Sequence, residues 1–272
     1  MIPAAFTYKR ASSVEEALDL LRSGGEEAKY LAGGHSLLPL MKLRLAVPET
    51  LVDIGRLPEL SYIEEDDGHL AIGALTRHYQ LADSDLLARE VPLLAHAAGQ
   101  IGDPQVRHCG TIGGSLAHAD PAADLPAVML ALDATLVARG PEGSREIAAG
   151  DFFRGLFETA LEPAELLTEI RIPRPQAAGW SFQKFTKRAI DWAIVGVAVQ
   201  GGNVALVNMG QTPLRAAGVE EALAGGASAA EAAERAAERT SPSDDLTASR
   251  GYREHLARVL VRRAIEESRA AG

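Results

Sequence analysis

Two glycine-rich segments, about eighty residues apart, constrain this chain more than any other feature. The first is Ala32-Gly33-Gly34-His35-Ser36, after the apolar pair Tyr30-Leu31, and the second is Gly110-Thr111-Ile112-Gly113-Gly114-Ser115. Glycine allows positive φ angles and a close approach of the backbone to a ligand, so successive N–H groups can converge on an anion. Two such turns, each beside small hydroxyl residues, indicate a ligand that carries more than one phosphate.

The first segment does not match the common nucleotide-binding motifs. It contains no Gly-x-Gly-x-x-Gly and no glycine-rich loop that ends in Lys-Ser or Lys-Thr. A Rossmann domain and a kinase-type P-loop are therefore disfavoured. Taken alone, residues 32–36 are also typical of a plain tight turn.

The polar residues around the second segment have two interpretations. Thr111 and Ser115 place hydroxyls on either side of the glycine pair, and Asp120 and Asp124 follow. Either aspartate can accept a hydrogen bond from a sugar or a ring N–H. Either is equally a candidate N-cap for the helix predicted after it, and for Asp124 the two roles are compatible.

Composition and charge narrow the class of protein. The chain has 272 residues, 47% hydrophobic and 24% charged, which is typical of a globular protein with one large or two ordinary domains. Its formal net charge of −10 argues against nucleic acid or an anionic membrane as partner. No apolar run approaches the roughly 20 residues of a membrane span, and no signal-peptide pattern is visible, which predicts a cytoplasmic location.

The cysteine and histidine content limits the chemistry of the chain itself. A single cysteine, Cys109, cannot make an internal disulfide, a structural zinc site or an iron–sulfur cluster. We expect a packed thiol rather than a nucleophile activated by the adjacent His108. His35, His108 and His118 show no metal-binding spacing, and the pair His118 and Asp120 lacks a nucleophile for hydrolysis. Redox chemistry would have to come from a bound cofactor.

Apolar periodicity, caps and turns predict a mixed α+β chain. The predicted helices cover 14–21, 37–45, 76–82, 92–100, 124–132, 219–223, 229–239 and 250–269. The predicted strands cover 28–31, 51–54, 62–64, 70–72, 135–138, 166–172, 180–185, 193–200 and 204–209, with a hairpin turn at 201–203. Prolines on both sides of Arg174 make residues 173–179 the predicted domain boundary.

Several blocks of the sequence resemble the FAD-binding medium subunit of the molybdenum hydroxylases, the family of carbon monoxide dehydrogenase and xanthine dehydrogenase. The resemblance runs nearly from end to end. Its blocks are residues 31–37 with Met41-Lys42-Leu43-Arg44, residues 101–107, residues 110–115, Asp120-Pro121 to Asp124-Leu125-Pro126, Glu165-Leu166-Leu167, residues 170–173, Lys184 to Asp191-Trp192, and residues 252–260.

This resemblance implies a particular fold. Residues 1–175 would form a PCMH-type FAD-binding domain of two α/β lobes, roughly 1–55 and 56–175, with FAD in the cleft. Residues 176–272 would form a C-terminal domain of a three-stranded antiparallel sheet packed with helices. FAD is expected to be noncovalent, because the chain has little room for the substrate domain of the oxidases that attach flavin at a Gly-Gly-His turn.

The resemblance also implies which residues bind FAD. Residues 32–36 would wrap the diphosphate with backbone amides, and Thr111, Gly114 and Ser115 would complete that site. Ser115 stands where the family often carries Asn. Trp192 would lie beside the flavin, with core packing as the alternative. The full implied set is Leu31, Ala32, Gly33, Gly34, His35, Ser36, Leu37, Ile101, Thr111, Gly113, Gly114, Ser115, His118, Asp124, Leu167, Lys184 and Trp192.

The implied function is electron transfer. In the family, a large molybdopterin subunit oxidises the substrate, a small subunit relays electrons through two [2Fe-2S] clusters, and the medium subunit's FAD passes them to an external acceptor. A dimer of heterotrimers is the implied assembly, and residues 32–42 look most like the carbon monoxide dehydrogenase branch. Two alternatives stay open: a self-sufficient flavin oxidase, and a binding or scaffold protein that has lost the flavin.

Overall fold

A computed structural model of the chain describes residues 2–174 and 179–271. Strands and helices are mixed along its whole length, which confirms the predicted α+β class. The first part of the chain consists of β1 (Thr7–Arg10), α1 (Val14–Ser23), β2 (Ala28–Leu31), α2 (Leu37–Lys42) and β3 (Thr50–Asp53).

The first sheet is parallel and has the strand order β1-β3-β2. Its central strand β3 pairs through Thr50 with both Thr7 and Ala28. The carboxyl ends of β2 and β3 therefore lie at one edge of the sheet, where residues 32–36 and Gly55 follow them. In open α/β sheets this edge is the usual position of a ligand.

The second part of the chain forms a larger antiparallel sheet with the strand order β4-β5-β10-β6-β7. Helices α5 and α8 pack on this sheet, and every residue of α8 is buried. The elements are β4 (Ile63–Asp66), β5 (His69–Gly73), α3 (His78–Ala82), α4 (Asp85–Glu90), α5 (Pro92–Gly99), α6 (Pro104–Cys109), α7 (Ile112–His118), α8 (Asp124–Ala131), β6 (Thr135–Gly140), β7 (Gly143–Ala148), α9 (Ala149–Phe152), β8 (Phe153–Gly155), β9 (Glu158–Thr159) and β10 (Leu166–Pro173).

The last part of the chain is an antiparallel sheet covered by helices. Three long strands match the prediction, and a fourth strand of two residues extends the edge beyond β13. Two residues are too few for an apolar pattern to reveal a strand. The elements are β11 (Trp180–Phe185), β12 (Val195–Gln200), β13 (Asn203–Val207), β14 (Leu214–Arg215), α10 (Ala217–Ala224), α11 (Ala229–Ala233) and α12 (Arg250–Ala271).

Helix α8 lies between the second sheet and the last one and joins their cores. On β12, Val195, Val197 and Val199 belong to the core shared with α12, whereas Ala198 belongs to the core shared with α8. Burial on both faces explains why this strand is a continuous apolar run. Because the side chain on the α8 face is an alanine, the helix and the sheet can approach closely.

Several predicted boundaries are wrong in instructive ways. The helix predicted over 37–45 ends at Lys42, and Arg44 adopts a left-handed conformation with φ 59°. Helix α6, capped by Asp103, was not predicted. Neither Asp120 nor Asp124 is the N-cap of α8, which is Ala123, since the Asp120 carboxylate accepts the Ala122 N–H instead.

Part of the predicted domain boundary cannot be compared with the structure. Of the predicted boundary 173–179, residues 175–178 lie outside the described residues. No helix within the described ranges has the length and hydropathy that a membrane crossing requires.

Arg215 provides a test of how the parts are joined. Its guanidinium donates to the Leu130 carbonyl at 3.0 Å, to Asp133 at 2.7 Å and to Asn203 at 2.6 Å, while Nε bonds Glu220 at 2.6 Å. We expect Arg215→Ala to lower the free energy of unfolding by about 2 kcal/mol, because it removes the donor to the carbonyl of the buried Leu130 and to the partly buried oxygens of Asn203 and Glu220.

Arg235→Ala is the matched control for Arg215→Ala. Arg235 also bonds two carboxylates, but these lie on the exposed surface, so we expect little change. Urea titration of both variants measures the two effects. Equal, small effects would show that Arg215 does not hold α8 against the last sheet.

Candidate functional site

The turn between β2 and α2 presents a run of free backbone donors. Within the described residues, the N–H groups of residues 32–36 donate to no protein acceptor. Gly34 has φ 74°, a conformation in which neighbouring amides point to one side of the chain. Such a concave run of amides is suited to an anion. The hydroxyl of Ser36 also has no partner among the described residues.

The structure brings the two glycine-rich segments into contact. A Cβ atom on Gly33 would lie 2.2 Å from the carbonyl oxygen of Cys109 and 3.0 Å from Cα of Gly110. A Cβ atom on Gly114 would lie 4.0 Å from Cβ of Ala32. Any side chain at Gly33 would force the segments apart. The two segments therefore lie side by side in the folded chain, although about eighty residues separate them in the sequence.

The second segment is not an anion-binding turn of its own, which corrects the expectation from its glycines. It forms the start of helix α7, with Thr111 as the N-cap. Its amides, apart from that of Thr111, are already used: Ile112 donates to the Thr76 carbonyl at 3.0 Å, Gly113 to the Ala74 carbonyl at 2.8 Å, and Gly114 to the Thr111 hydroxyl at 3.1 Å. The second segment therefore contributes a close backbone contact and the hydroxyls of Thr111 and Ser115 to the surroundings of the first segment.

A buried ion pair lies where α8 meets β11. Nζ of Lys184 is 2.6 Å from Oδ2 of Asp124 and 3.1 Å from the carbonyl of Gln100, and both charged side chains are only 5% exposed. Oδ1 of Asp124 is buried and has no hydrogen-bond partner. Burial raises the pKa of Asp124 to about 6, and the charge of Lys184 opposes this shift. An unused carboxylate oxygen at this position can accept a hydrogen bond from a ligand.

The sequence analysis missed a cluster of positive charge behind the glycine-rich turns. His78 is 4% exposed, and burial together with the charges of Arg77, His35 and Arg107 lowers its pKa to about 4. His78 is therefore neutral at pH 7, and the arginines supply the charge. No local motif marks Arg77 and His78, whereas His35 and Arg107 lie in segments that carry the family resemblance.

The remaining predicted residues lie apart from these two groups. Leu167 is buried in the main core, and the His118 ring contacts the Phe157 ring with centroids 5.1 Å apart. Burial lowers the pKa of His118. Trp192 is 59% exposed, so the core-packing alternative for it is wrong. Cys109 is exposed as well, which contradicts the packed thiol that we expected.

Ile101 lies next to a residue that contacts the buried ion pair of Asp124 and Lys184. It follows Gln100, and a groove beside it is lined by Gly99, Gln100, Gly102, Lys184, Thr186 and Ala189. Among the described residues, no cluster of histidine, cysteine and carboxylate side chains is suited to a metal ion.

The buried carboxyl of Asp124 leads to a prediction about pH. Because its folded pKa is raised, the native state holds a proton between about pH 4 and pH 6 that the unfolded state has released. The stability contributed by Asp124 is therefore present at low pH and lost as the pH rises to about 6. The free energy of unfolding of the protein minus that of Asp124→Asn should fall over this range in urea titrations.

Asp191→Asn is the matched control for this pH dependence. Asp191 is only partly buried, and its hydrogen bonds from Arg188 lower its pKa, so its contribution should change in the opposite direction and be lost as the pH falls. A difference for Asp124→Asn that is flat or rises with pH would mean that Lys184 outweighs burial.

The comparisons with known proteins agree with this geometry. Residues 4–175 match the family described as "FAD binding domain in molybdopterin dehydrogenase". Residues 180–268 match the "CO dehydrogenase flavoprotein C-terminal domain". The first family match alone covers more than half of the chain.

Individual relatives extend the match to nearly the full length. The carbon monoxide dehydrogenase medium chain of Hydrogenophaga pseudoflava is 43% identical over 279 residues, which cover 97% of each chain. Subunit alpha of the 6-hydroxypseudooxynicotine dehydrogenase complex of Paenarthrobacter nicotinovorans is 39% identical and covers 98% of this chain and 96% of its own. A structure of the Hydrogenophaga carbon monoxide dehydrogenase that lacks the Mo-pyranopterin moiety superposes with a TM-score of 0.96 at 43% identity, covering 100% of this chain and 99% of that one. This chain therefore belongs to the family of FAD-binding medium subunits of the molybdenum hydroxylases, and it is a subunit of an oxidoreductase complex.

Proposed function

We propose that the chain holds FAD noncovalently in the cleft between its two glycine-rich segments. The observation that carries this proposal is the run of unpartnered amides at residues 32–36, packed against the backbone of Cys109 and Gly110. The proposed FAD-binding residues are those implied by the resemblance: residues 31–37, Ile101, Thr111, Gly113, Gly114, Ser115, His118, Asp124, Leu167, Lys184 and Trp192.

Within this proposal each group of residues has its own role. The amides of residues 32–36 bind the diphosphate, and the free hydroxyls of Ser36 and Ser115 reach its oxygens. Asp124 accepts a hydrogen bond through its unused Oδ1, and Lys184 places a positive charge near the ring. The exposed Trp192 covers the flavin and excludes water. FAD itself supplies the chemistry, since it accepts two electrons and passes them on.

We further propose the partners that the family implies. A large molybdopterin subunit would oxidise the substrate, and a small subunit would carry the [2Fe-2S] clusters, because a chain with one cysteine cannot hold them. The assembly would be a dimer of heterotrimers that delivers electrons to an external acceptor. Carbon monoxide is the leading candidate substrate, on the basis of relatives that are named for it.

The proposed function also implies domain bounds and a cellular compartment. The FAD-binding domain would cover residues 1–175, with lobes of about 1–55 and 56–175, and the C-terminal domain would cover residues 176–272. The proposed compartment is the cytoplasm, where a reducing environment keeps an exposed thiol such as that of Cys109 free.

Reduction of the purified full chain distinguishes this function from its alternatives. We expect a yellow protein whose flavin is bleached only when the iron–sulfur and molybdopterin subunits and the substrate are all present. Bleaching of the isolated chain by substrate would instead indicate a self-sufficient oxidase. A colourless chain that takes up no added FAD would exclude both and favour a binding or scaffold protein.

Gly114→Val tests the position of the cofactor. A Cβ atom at Gly114 would lie 2.7 Å from Oγ1 of Thr111, so a branched side chain displaces the cap of α7 and fills the cleft beside Ala32. We expect FAD content after purification to fall at least about tenfold. The absorbance ratio of flavin to protein measures it.

Gly251→Val is the control for Gly114→Val. Gly251 also lies in a helix, but no atom lies within 4 Å of its Cβ position. Both variants therefore carry the cost of a β-branched residue in a helix. Only Gly114→Val also obstructs the cleft. Full FAD content in Gly114→Val would place the cofactor elsewhere.

A further inference from the structure

Arg77 lies behind the proposed FAD cleft and touches both of its walls. Its backbone forms an isolated bridge with Thr111, and its N–H donates to Gln80 at 2.8 Å. Its guanidinium donates through Nη1 to the carbonyl of Cys109 and through Nη2 to the carbonyl of Gly55 at 3.2 Å. Gly55 follows β3 in the first sheet, and Cys109 ends α6. One side chain therefore links the two lobes.

Both residues whose carbonyls Arg77 binds lie against the first glycine-rich segment, Cys109 through its carbonyl oxygen and Gly55 through its Cα. The Cys109 oxygen lies 2.2 Å from the position of a Cβ on Gly33, and a Cβ on Gly55 would lie 3.0 Å from the Ala32 oxygen. A carbonyl oxygen carries partial negative charge and repels a phosphate when it has no donor of its own. Arg77 supplies such a donor directly beside the free amides.

The charge of Arg77 is not neutralised within the protein. Neither Arg77 nor Arg107 has a carboxylate within ion-pair distance in the described ranges, although arginines elsewhere, such as Arg171, do. Arg107 is held in the same way, by the carbonyls of Ile101 at 2.9 Å and Gly102 at 3.3 Å. In a chain with a net charge of −10, two arginines held only by backbone carbonyls are a local source of positive charge.

We propose that Arg77 is a positioning residue for FAD: its planar guanidinium clamps the Gly55 and Cys109 carbonyls and thereby holds the two walls of the cleft at the spacing that the diphosphate needs. This inference rests on the proposed function. It assigns the role to the forked geometry of arginine, which can bond two carbonyls at once, and not to positive charge alone.

Two variants of the full chain separate geometry from charge. Arg77→Gln removes the charge and one of the two bonds, whereas Arg77→Lys keeps the charge but replaces the planar fork with a single ammonium. We expect both to weaken FAD binding at least about tenfold, measured by titration of the flavin-free chain with FAD and with ADP as a diphosphate probe. Circular dichroism at the same temperature checks that each variant is folded.

Arg56→Gln is the matched control. Arg56 lines the same surface groove as Arg77, but it is exposed and makes no hydrogen bond in the part of the chain that the structure describes. The same change of charge at Arg56 should leave FAD and ADP affinity within about twofold of the original. If Arg77→Lys binds FAD as tightly as the original chain, charge suffices and the clamp is wrong. Unchanged affinity in Arg77→Gln overturns it as well.

Hydrogen exchange of the flavin-free chain tests the clamp without the cofactor. The amides of Gly110, Ile112 and Gly113, which bond α6 or residues 74 and 76, should exchange faster in Arg77→Gln than in Arg56→Gln. If the original chain takes up no FAD, the proposed function fails while this measurement still decides the clamp. Equal exchange in both variants would show that Arg77 does not hold the cleft.

Discussion

The close approach of Gly33 to the Cys109 carbonyl is the contact on which the rest of the site depends. It leaves no room for a side chain, so the first and second glycine-rich segments meet through their backbones. Because the amides of the second segment, apart from that of Thr111, are bonded within the protein, the first segment supplies the run of free donors. A site of this kind is assembled from main chain, and its position is set by how the residues that follow β2 pack against the end of α6 and the start of α7.

Helix α8 fixes the position of the buried ion pair between Asp124 and Lys184. Its first residue, Asp124, meets Lys184 of β11, and its last turn is joined through the Leu130 carbonyl to Arg215 of β14. Since α8 is buried between two sheets, it can move little relative to either. The buried ion pair therefore keeps its place whether or not a ligand engages Oδ1 of Asp124. Rigid support of this kind suits a site that positions a cofactor.

The sequence predicted the features that local chemistry marks. The pair Gly33-Gly34 after an apolar strand is sufficient to predict the first turn. The apolar runs are sufficient to locate most of the strands. Helix α6 was missed although Asp103-Pro104 is a typical helix start, with an N-cap and a proline at the first position. The second segment was taken for a turn because of its glycines, whereas Gly113 is required by the Ala74 carbonyl, a contact between distant residues. Arg77 carries no local signal at all, since its partners Gly55 and Cys109 meet only in the folded chain.

The same physical picture explains why this subunit reveals little about the substrate. Relatives named for two different compounds, carbon monoxide and 6-hydroxypseudooxynicotine, are 43% and 39% identical to this chain. Near-equal similarity is what we expect if this chain binds a common cofactor and the substrate binds elsewhere in the complex. Free backbone amides such as those of residues 32–36 suit the phosphate groups of a cofactor and do not distinguish one substrate from another. Selectivity for the substrate then places no demand on the residues of this cleft.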